Sequence, residues 1–152
     1  PKDWGKIPKS DDWKSWEDWV NVECDFSANG YRLPTHREWE YAARGGNGLK
    51  GYQFQYAGSD NLDEVAVWNT DVVSEIQTKK PNGLGIYDLC GNLDEWTFQR
   101  FGGKENILYA GGYYFIKQPE VFAFSWHYTG CIAVSPALRN RQLGFRVVCT
   151  AD

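Results

Sequence analysis

The spacing of apolar residues predicts an amphipathic helix near the start of the chain. Trp13, Trp16 and Val20 recur at helical intervals between residues 11 and 23, so one face of such a helix would be apolar. The dipeptide Asn29-Gly30 is typical of a turn and ends this region. The first predicted element is therefore a helix closed by a turn.

A second helix is marked by a capping pattern. Thr35 can accept a hydrogen bond from the free N–H groups of the first turn, and Glu38, three residues later, can reach back to the Thr35 N–H. Gly45-Gly46 terminates the helix, since glycine readily adopts the left-handed conformation that follows a helix end. The apolar stripe of this helix consists of Trp39, Ala42 and Ala43.

The rest of the chain predicts short strands joined by long ordered loops. A short apolar piece at 31–33 is stopped by Pro34, and residues 46–86 are rich in Gly, Asn and Asp with little periodicity. A turn leading into a strand is predicted at 87–96. Further strands are predicted at Ile107–Gly112, Val121–Trp126 and Phe145–Thr150. With no internal repeat and no linker, the pattern predicts one α+β domain over residues 1–152.

The composition excludes some classes of binding partner. The 152 residues include 16 Lys and Arg against 20 Asp and Glu, a net charge of -4, which argues against nucleic acid or an anionic membrane as the main partner. No apolar run approaches the roughly 20 residues that span a bilayer. The chain contains no Met, even at position 1, which indicates a processed or excised piece of a longer protein.

Aromatic residues are concentrated in one segment. Seven of the 16 residues from Tyr113 to Tyr128 are Tyr, Phe or Trp, and Lys117 and Glu120 are the only charged residues up to Leu138. Binding surfaces favour this composition, because Tyr and Trp offer rigid contact area at low entropic cost. The segment is therefore a candidate binding surface.

The four cysteines show no metal-binding spacing, and their three full pairings stay open.

Several motifs in order resemble the formylglycine-generating-enzyme (sulfatase-modifying-factor) family. The resemblance implies an α+β, C-type-lectin-like fold with two helices, short strands and long ordered loops. The family's N-terminal strands are missing, so residues 1–152 are expected to be the C-terminal part of a longer protein; a diverged early part is the alternative. The motifs are Gly30-Tyr31-Arg32-Leu33-Pro34-Thr35, Glu38-Trp39-Glu40-Tyr41-Ala42-Ala43-Arg44-Gly45-Gly46, Tyr56-Ala57-Gly58-Ser59, Pro81-Asn82-Gly83-Leu84-Gly85-Ile86-Tyr87-Asp88, Gly91-Asn92, Glu95-Trp96-Thr97, Gly111-Gly112 and Gly144-Phe145-Arg146-Val147-Val148.

The chain lacks the metal-binding residues that the resemblance implies for the family's enzymes. The resemblance places the copper-binding cysteine pair of the oxidase members near Gln118 and Ala123, and neither is Cys. The sulfoxide synthases hold iron with three His, whereas only His36 and His127 occur here. His36, in the first turn of a helix, is expected to be solvated. We therefore expect no enzyme activity and no copper-dependent oxidation of cysteine peptides; an unusual oxidase acting through Cys131 is the alternative.

A third branch of the family fits better. The chain resembles the variable proteins of diversity-generating retroelements, which implies a ligand-binding region within 111–148 whose AAY codons are diversified. Lys117, Gln118, Glu120, Trp126 and Gln142 cannot arise from such codons and would be fixed scaffold. The expected ligand-binding positions are Tyr113, Phe115, Phe124, His127, Tyr128, Thr129, Ile132, Ser135, Ala137, Leu138 and Asn140. A carbohydrate-binding lectin is an open alternative, because aromatic faces also stack on sugars.

Substitutions are expected to divide into two groups. Alternation on a strand would place Phe122, Phe124 and Trp126 on one face, either packed in the core or exposed for binding. Tyr113, His127 and Tyr128 fall nearer turns. The residues expected to form the core are Trp39, Trp96, Trp126 and Phe145.

The resemblance also implies a structural calcium ion and a location. In oxidase relatives calcium lies on the loop that matches 88–95, where Asp88 and Glu95 would supply carboxylates and Gly91 and Leu93 carbonyls. A capped turn with solvated acids is the alternative. No other cofactor is expected.

Arg139, Arg141 and Arg146 are expected to donate hydrogen bonds within the scaffold. The expected partner is a protein or another macromolecule met at the bacterial cell surface or outside the cell, where the chain would be a lipoprotein or secreted.

Overall fold

The computed structural model describes residues 23–46, 54–100, 107–123, 132–134, 138 and 140–149. The chain has the α+β character predicted for it, with short elements and long loops. Its helices are α1 (His36–Ala43), α2 (Leu62–Val65) and a 3-10 helix (Pro119–Phe122). Its strands are β1 (Tyr31–Arg32), β2 (Ala66–Val67), β3 (Cys90–Gly91), β4 (Asp94–Arg100), β5 (Ile107–Ala110), β6 (Ile132–Val134), β7 (Leu143–Phe145) and β8 (Val148–Cys149). The helix predicted from Trp13, Trp16 and Val20 lies outside the described residues.

A four-stranded sheet with the order β6-β5-β4-β7 organises the domain. The pairs β4–β5 and β5–β6 are antiparallel, whereas β4–β7 is parallel. Two small pairs complete the described strands, β1–β8 antiparallel and β2–β3 parallel. No helix among the described residues is both long and apolar enough to cross a membrane.

Helix α1 forms because its N-terminus is capped as the sequence predicts. The Glu38 N–H donates to the Thr35 hydroxyl at 3.2 Å, and the Thr35 N–H donates to the Glu38 carboxylate at 2.8 Å. The Arg32 guanidinium donates to both oxygens of that carboxylate at 2.7 and 2.6 Å. The Arg32 hydrogen bonds, followed by those from Thr35, lower the pKa of Glu38 to about 2 despite its partial burial.

The core lies between α1 and the sheet. Trp39 and Ala43 are buried on the face of α1 that meets β4 and β5, and Leu89 and Ala110 belong to the same apolar cluster. His36 is also buried, so the expectation of a solvated side chain is wrong. Its helical position places it one turn before Trp39 on the inward face, and desolvation lowers its pKa.

The strand predicted at Val121–Trp126 is wrong for the part that the structure describes. Pro119 opens a 3-10 helix there, because its ring fixes φ near the helical value and it has no N–H to leave unpaired. This helix carries Phe122 into the core, where its ring meets Trp68 edge to face at 6.4 Å. Trp126 lies outside the described residues.

The single strand predicted at Phe145–Thr150 is two strands, and Phe145 is not a core residue. The break falls at Arg146, whose side chain turns inward to Glu95. Phe145 is 69% exposed because β7 is the last strand of the sheet, and Phe145 pairs with Trp96 at that edge. Trp96 is half-buried and packs edge to face on Tyr109.

Candidate functional site

The sheet topology brings three of the predicted binding positions, Tyr113, Ile132 and Asn140, to one end. Glu95 pairs with Ala110, Tyr109 pairs with Ile132, and Asp94 pairs with Leu143. Strand β5 therefore ends where β4, β6 and β7 begin, and we call this the Tyr113 end of the sheet. The segments next to Tyr113, Ile132 and Asn140 leave or enter the sheet here, although they are far apart in sequence, whereas β6 ends at the opposite end of the sheet, where Val134 pairs with Ile107.

The structure describes five of the predicted binding residues. Phe115, Leu138 and Asn140 are exposed, Tyr113 is half-buried, and the backbone of Ile132 begins β6. The Lys117 ammonium lies over the Phe115 ring, with its nitrogen 5.4 Å from the ring centroid. The remaining predicted positions lie outside the described residues and are Phe124, His127, Tyr128, Thr129, Ser135 and Ala137.

Two glycines turn the chain at the start of the candidate segment. Gly111 and Gly112 have φ of 105° and 72°, a conformation that glycine adopts without strain. A Cβ on Gly112 would lie 2.5 Å from a ring carbon of Phe122, so a side chain has no room there. The turn buries Tyr114, whose N–H donates to the Asn92 carbonyl at 3.0 Å, and leaves Tyr113 and Phe115 facing outward.

Asn140 organises the turn that enters β7. Its side-chain oxygen accepts the Gln142 N–H at 3.1 Å, and its carbonyl accepts the Leu143 N–H at 3.1 Å. The Gln142 carbonyl in turn accepts the Asp94 N–H at 2.9 Å, which ties this turn to the start of β4. Asn140 is thus an exposed position with a structural role in its own turn.

Asp94 lies at the Tyr113 end and was not predicted as a site residue. It is 4% exposed, and burial raises its pKa to about 8 even though the Gly112 N–H donates to the carboxyl. The Tyr109 hydroxyl is close enough that Asp94 and Tyr113, after burial, raise the pKa of Tyr109 to about 12. No local motif in the sequence indicates its burial, which depends on the turn at Gly112.

A buried ion pair fixes the other face of β4. The Arg146 guanidinium donates to both Glu95 oxygens at 2.5 and 2.6 Å, and it also donates to the Tyr87 and Asp88 carbonyls at 3.1 Å. The Trp39 indole N–H donates to Glu95 at 2.7 Å. Arg146 therefore acts as the scaffold donor that the sequence predicts.

The predicted calcium ligands fit a metal only in part. Asp88 keeps one buried carboxylate oxygen without a hydrogen-bond partner in the described part of the chain, which suits a hard cation. Both oxygens of Glu95, however, already accept from Arg146 and Trp39. A guanidinium at this place repels a second cation, so the set of Asp88, Gly91, Leu93 and Glu95 does not form a calcium site in this arrangement.

Chelation should therefore leave the fold unchanged. We expect the melting temperature of the purified domain to be the same in EDTA and in millimolar calcium, because Arg146 already neutralises Glu95. Differential scanning calorimetry with both additives measures this, and magnesium is the control for ionic strength. A rise in melting temperature with calcium alone would show that Glu95 exchanges Arg146 for the ion.

The two positions at which the resemblance implies the oxidase cysteines flank the 3-10 helix. Gln118 precedes the helix and Ala123 follows it, so neither end carries a thiolate for Cu(I). The nearby core cysteine, Cys90, is buried, and desolvation raises its pKa to about 12, which keeps it a thiol at neutral pH. Across the described ranges, no three His, Cys, Asp or Glu side chains come together as a group that could hold a metal ion.

Comparison with known proteins identifies the family to which this fold belongs. Residues 9–151 match the model of the sulfatase-modifying factor enzyme 1-like domain, which is nearly the whole chain. The chain belongs to this family. The predicted resemblance to formylglycine-generating enzymes is thereby confirmed.

Relatives of this family member include proteins named as active and as inactive. It is 29% identical to the formylglycine-generating enzyme of Bos taurus over 91% of the chain and 42% of the relative. It is 34% identical to the inactive C-alpha-formylglycine-generating enzyme 2 of Bos taurus over 59% of the chain and 34% of the relative. It is 46% identical to the chaperone protein LppX of Paenibacillus barcinonensis over 51% of the chain and 34% of the relative. The chain spans between a third and a half of the length of these relatives.

Solved structures confirm the fold of the family member. Treponema denticola variable protein 1 is 28% identical with a TM-score of 0.71, and CarF is 32% identical with a TM-score of 0.72. Each similarity covers 88% of this chain and 52% of the other. The predicted likeness to a retroelement variable protein, with its C-type-lectin-like fold, is thus confirmed.

Proposed function

We propose that the domain is a ligand-binding protein whose Tyr113 end is diversified by a retroelement. The observation that carries this proposal is the topology. The C-terminal end of β5 lies beside the N-terminal ends of β6 and β7, which brings Tyr113, Ile132 and Asn140 to one end of the sheet. The likeness to Treponema denticola variable protein 1 supports the same function.

The burial pattern supports a division between fixed and variable positions. Phe122, Ala123 and Tyr114 are buried between the candidate positions, whereas Phe115 and Leu138 face solvent. A segment that alternates between core contacts and exposed side chains can change its outer residues at small cost to the fold. This arrangement suits a scaffold that presents many surfaces.

The proposal extends to partner and location. The ligand is a protein or another macromolecule, because the described candidate positions lie on separate segments of the chain and Phe115, Leu138 and Asn140 are exposed. We propose that the domain acts at the bacterial cell surface or outside the cell, which rests on its resemblance to displayed variable proteins. Cell fractionation with an antibody to the domain tests the location.

Sequencing of the source locus tests the proposed function without a known ligand. We expect an adjacent reverse-transcriptase gene and an adenine-rich template repeat that matches the codons near 111–141. We also expect natural isolates to differ in the Tyr113, Phe115 and Asn140 codons at the positions that match template adenines, while the Trp39 and Phe122 codons stay constant. A locus with neither the repeat nor clustered substitutions would contradict the proposal.

Alanine variants should separate surface from core. We expect Phe115→Ala and Leu138→Ala to change the free energy of unfolding by about 0.5 kcal/mol or less, because both side chains are exposed. Phe145→Ala belongs with them for the same reason. Trp39→Ala should cost roughly 3–5 kcal/mol, because that side chain is buried. Urea unfolding followed by Trp and Tyr fluorescence measures all four, and equal losses in the two groups would contradict the division.

A further inference from the structure

A second exposed apolar segment lies beside the candidate segment. Val72 and Ile76 are 69% and 74% exposed, and Val73 between them is half-exposed. Single exposed apolar residues are ordinary on a protein surface, whereas three in five consecutive residues form a patch that calls for an explanation. The loop that carries them belongs to the part of the chain predicted to be constant.

Hydrogen bonds join this loop directly to the candidate segment. The Asn69 N–H donates to the Ile116 carbonyl at 2.9 Å, and the Thr70 N–H donates to the Tyr114 carbonyl at 2.9 Å. The apolar residues begin two positions later. At a reach of at most about 3.6 Å per residue, Val72 lies within about 7 Å of Thr70, whose N–H donates to the Tyr114 carbonyl.

One buried side chain holds both segments in place. The Asn92 amide accepts the Ser74 N–H at 3.0 Å and donates to the Ser74 carbonyl at 3.2 Å. Its backbone carbonyl accepts the Tyr114 N–H at 3.0 Å. Asn92 itself has a left-handed φ of 62°, which Asn tolerates better than most residues. The loop and the candidate segment are therefore positioned by the same residue.

We propose that Val72, Val73 and Ile76 form a constant contact area for a protein partner, next to the variable positions. The proposal rests on the proposed function, since it extends the Tyr113 end onto the fixed scaffold. Exposed aliphatic side chains neither stack on sugar rings nor donate hydrogen bonds to hydroxyls, so this patch suits a protein rather than a glycan. A constant apolar contact would supply affinity while the variable positions supply selectivity.

The charge around the patch defines the partner further. Asp71 and Glu75 flank the apolar residues and are exposed, and neither takes part in an ion pair in the described part of the chain. Lys80, after the loop, is paired with Glu64, and the Lys79 ammonium donates to the Asp63 carbonyl. The patch therefore has an acidic rim, which complements an apolar surface bordered by Lys or Arg.

A random peptide display library is the probe for this surface. We expect the domain to enrich peptides that combine Leu, Phe or Trp with Lys or Arg. The double variant Val72→Ser/Ile76→Ser should lose about tenfold or more in affinity for these peptides, as expected for the loss of central apolar contacts. The matched control is Leu84→Ser, because Leu84 is also apolar and 51% exposed but lies beside Gly46, just after α1. Unchanged melting temperatures show that all variants fold.

The outcomes separate this inference from the proposed function. If Tyr113→Ser/Leu138→Ser abolishes binding of the enriched peptides and the Val72/Ile76 double variant does not, the constant contact is refuted and the proposed function stands. If neither double variant affects binding, or no peptide is enriched, both fail. Sedimentation velocity provides a further test: a wild-type dimer that the Val72/Ile76 variant converts to a monomer would show that a second copy covers the patch, which also refutes it.

Discussion

Replacing Glu95 with alanine is expected to cost roughly 3–5 kcal/mol of unfolding free energy. The carboxylate is buried and accepts hydrogen bonds from Arg146 and the Trp39 indole. Removing it leaves a guanidinium without a counter-charge and an indole N–H without an acceptor, both inside the domain. Such groups are expensive because water cannot replace the lost partner.

The size of this effect depends on burial rather than on charge alone. Glu64→Ala is the matched control, because Glu64 also forms an ion pair, with Lys80 at 3.2 Å, but both side chains are exposed. We expect a much smaller loss there, because solvent screens the charges of an exposed pair. Glu95→Gln should fall between the two, since an amide oxygen can still accept from Trp39. Chemical unfolding of the three variants measures the series, and equal losses for Glu95→Ala and Glu64→Ala would refute the structural role of the buried pair.

Features that depend on neighbouring residues could be predicted from the sequence. The α1 capping box needs only Thr35 and Glu38, which are three positions apart, and the structure contains both of its hydrogen bonds. The Gly111-Gly112 turn is similarly local, and β5 ends one residue before it. Local chemistry decides these elements, so the pattern of the chain is sufficient.

Features set by distant partners were harder to predict. Phe145 resembles a core residue in its β-branched surroundings, yet its exposure follows from the place of β7 at the edge of the sheet. The sequence also does not show that Arg146 interrupts the predicted last strand, because Glu95 attracts it from β4. The 3-10 helix at Pro119–Phe122 is different, since Pro119 is a local signal that outweighs the strand propensity of Val121 and Phe122.

The candidate site combines both kinds of information. The aromatic composition and the family resemblance placed it between Tyr113 and Asn140, but only the sheet order shows that Tyr113, Ile132 and Asn140 meet at one end. The buried carboxyl of Asp94 and the loop around Val72 lie outside the predicted segment. They come to the site through strand pairing and through Asn92, which no periodicity in the sequence indicates.

Asp94→Asn is expected to stabilise the domain at neutral pH. The folded-state pKa of Asp94 is about 8, raised by burial from an ordinary value of 3.8. Between these two values the folded protein keeps a proton that the unfolded chain releases, so stability falls as pH rises from about 4 to about 8. Asparagine is nearly isosteric, cannot ionise, and can still accept the Gly112 N–H through its side-chain oxygen.

The variant should therefore lose this part of the pH dependence. One pKa unit corresponds to about 1.4 kcal/mol, so the advantage of Asp94→Asn over the wild type should grow to the order of 2–4 kcal/mol at pH 7 and nearly vanish near pH 4. The buried His36 titrates alike in both proteins and cancels in the difference. Urea unfolding at several pH values measures the two profiles, with Asp71→Asn as an exposed control whose curve should follow the wild type. Parallel profiles for Asp94→Asn and the wild type would contradict the prediction, because they would mean that the folded protein does not raise the pKa of Asp94.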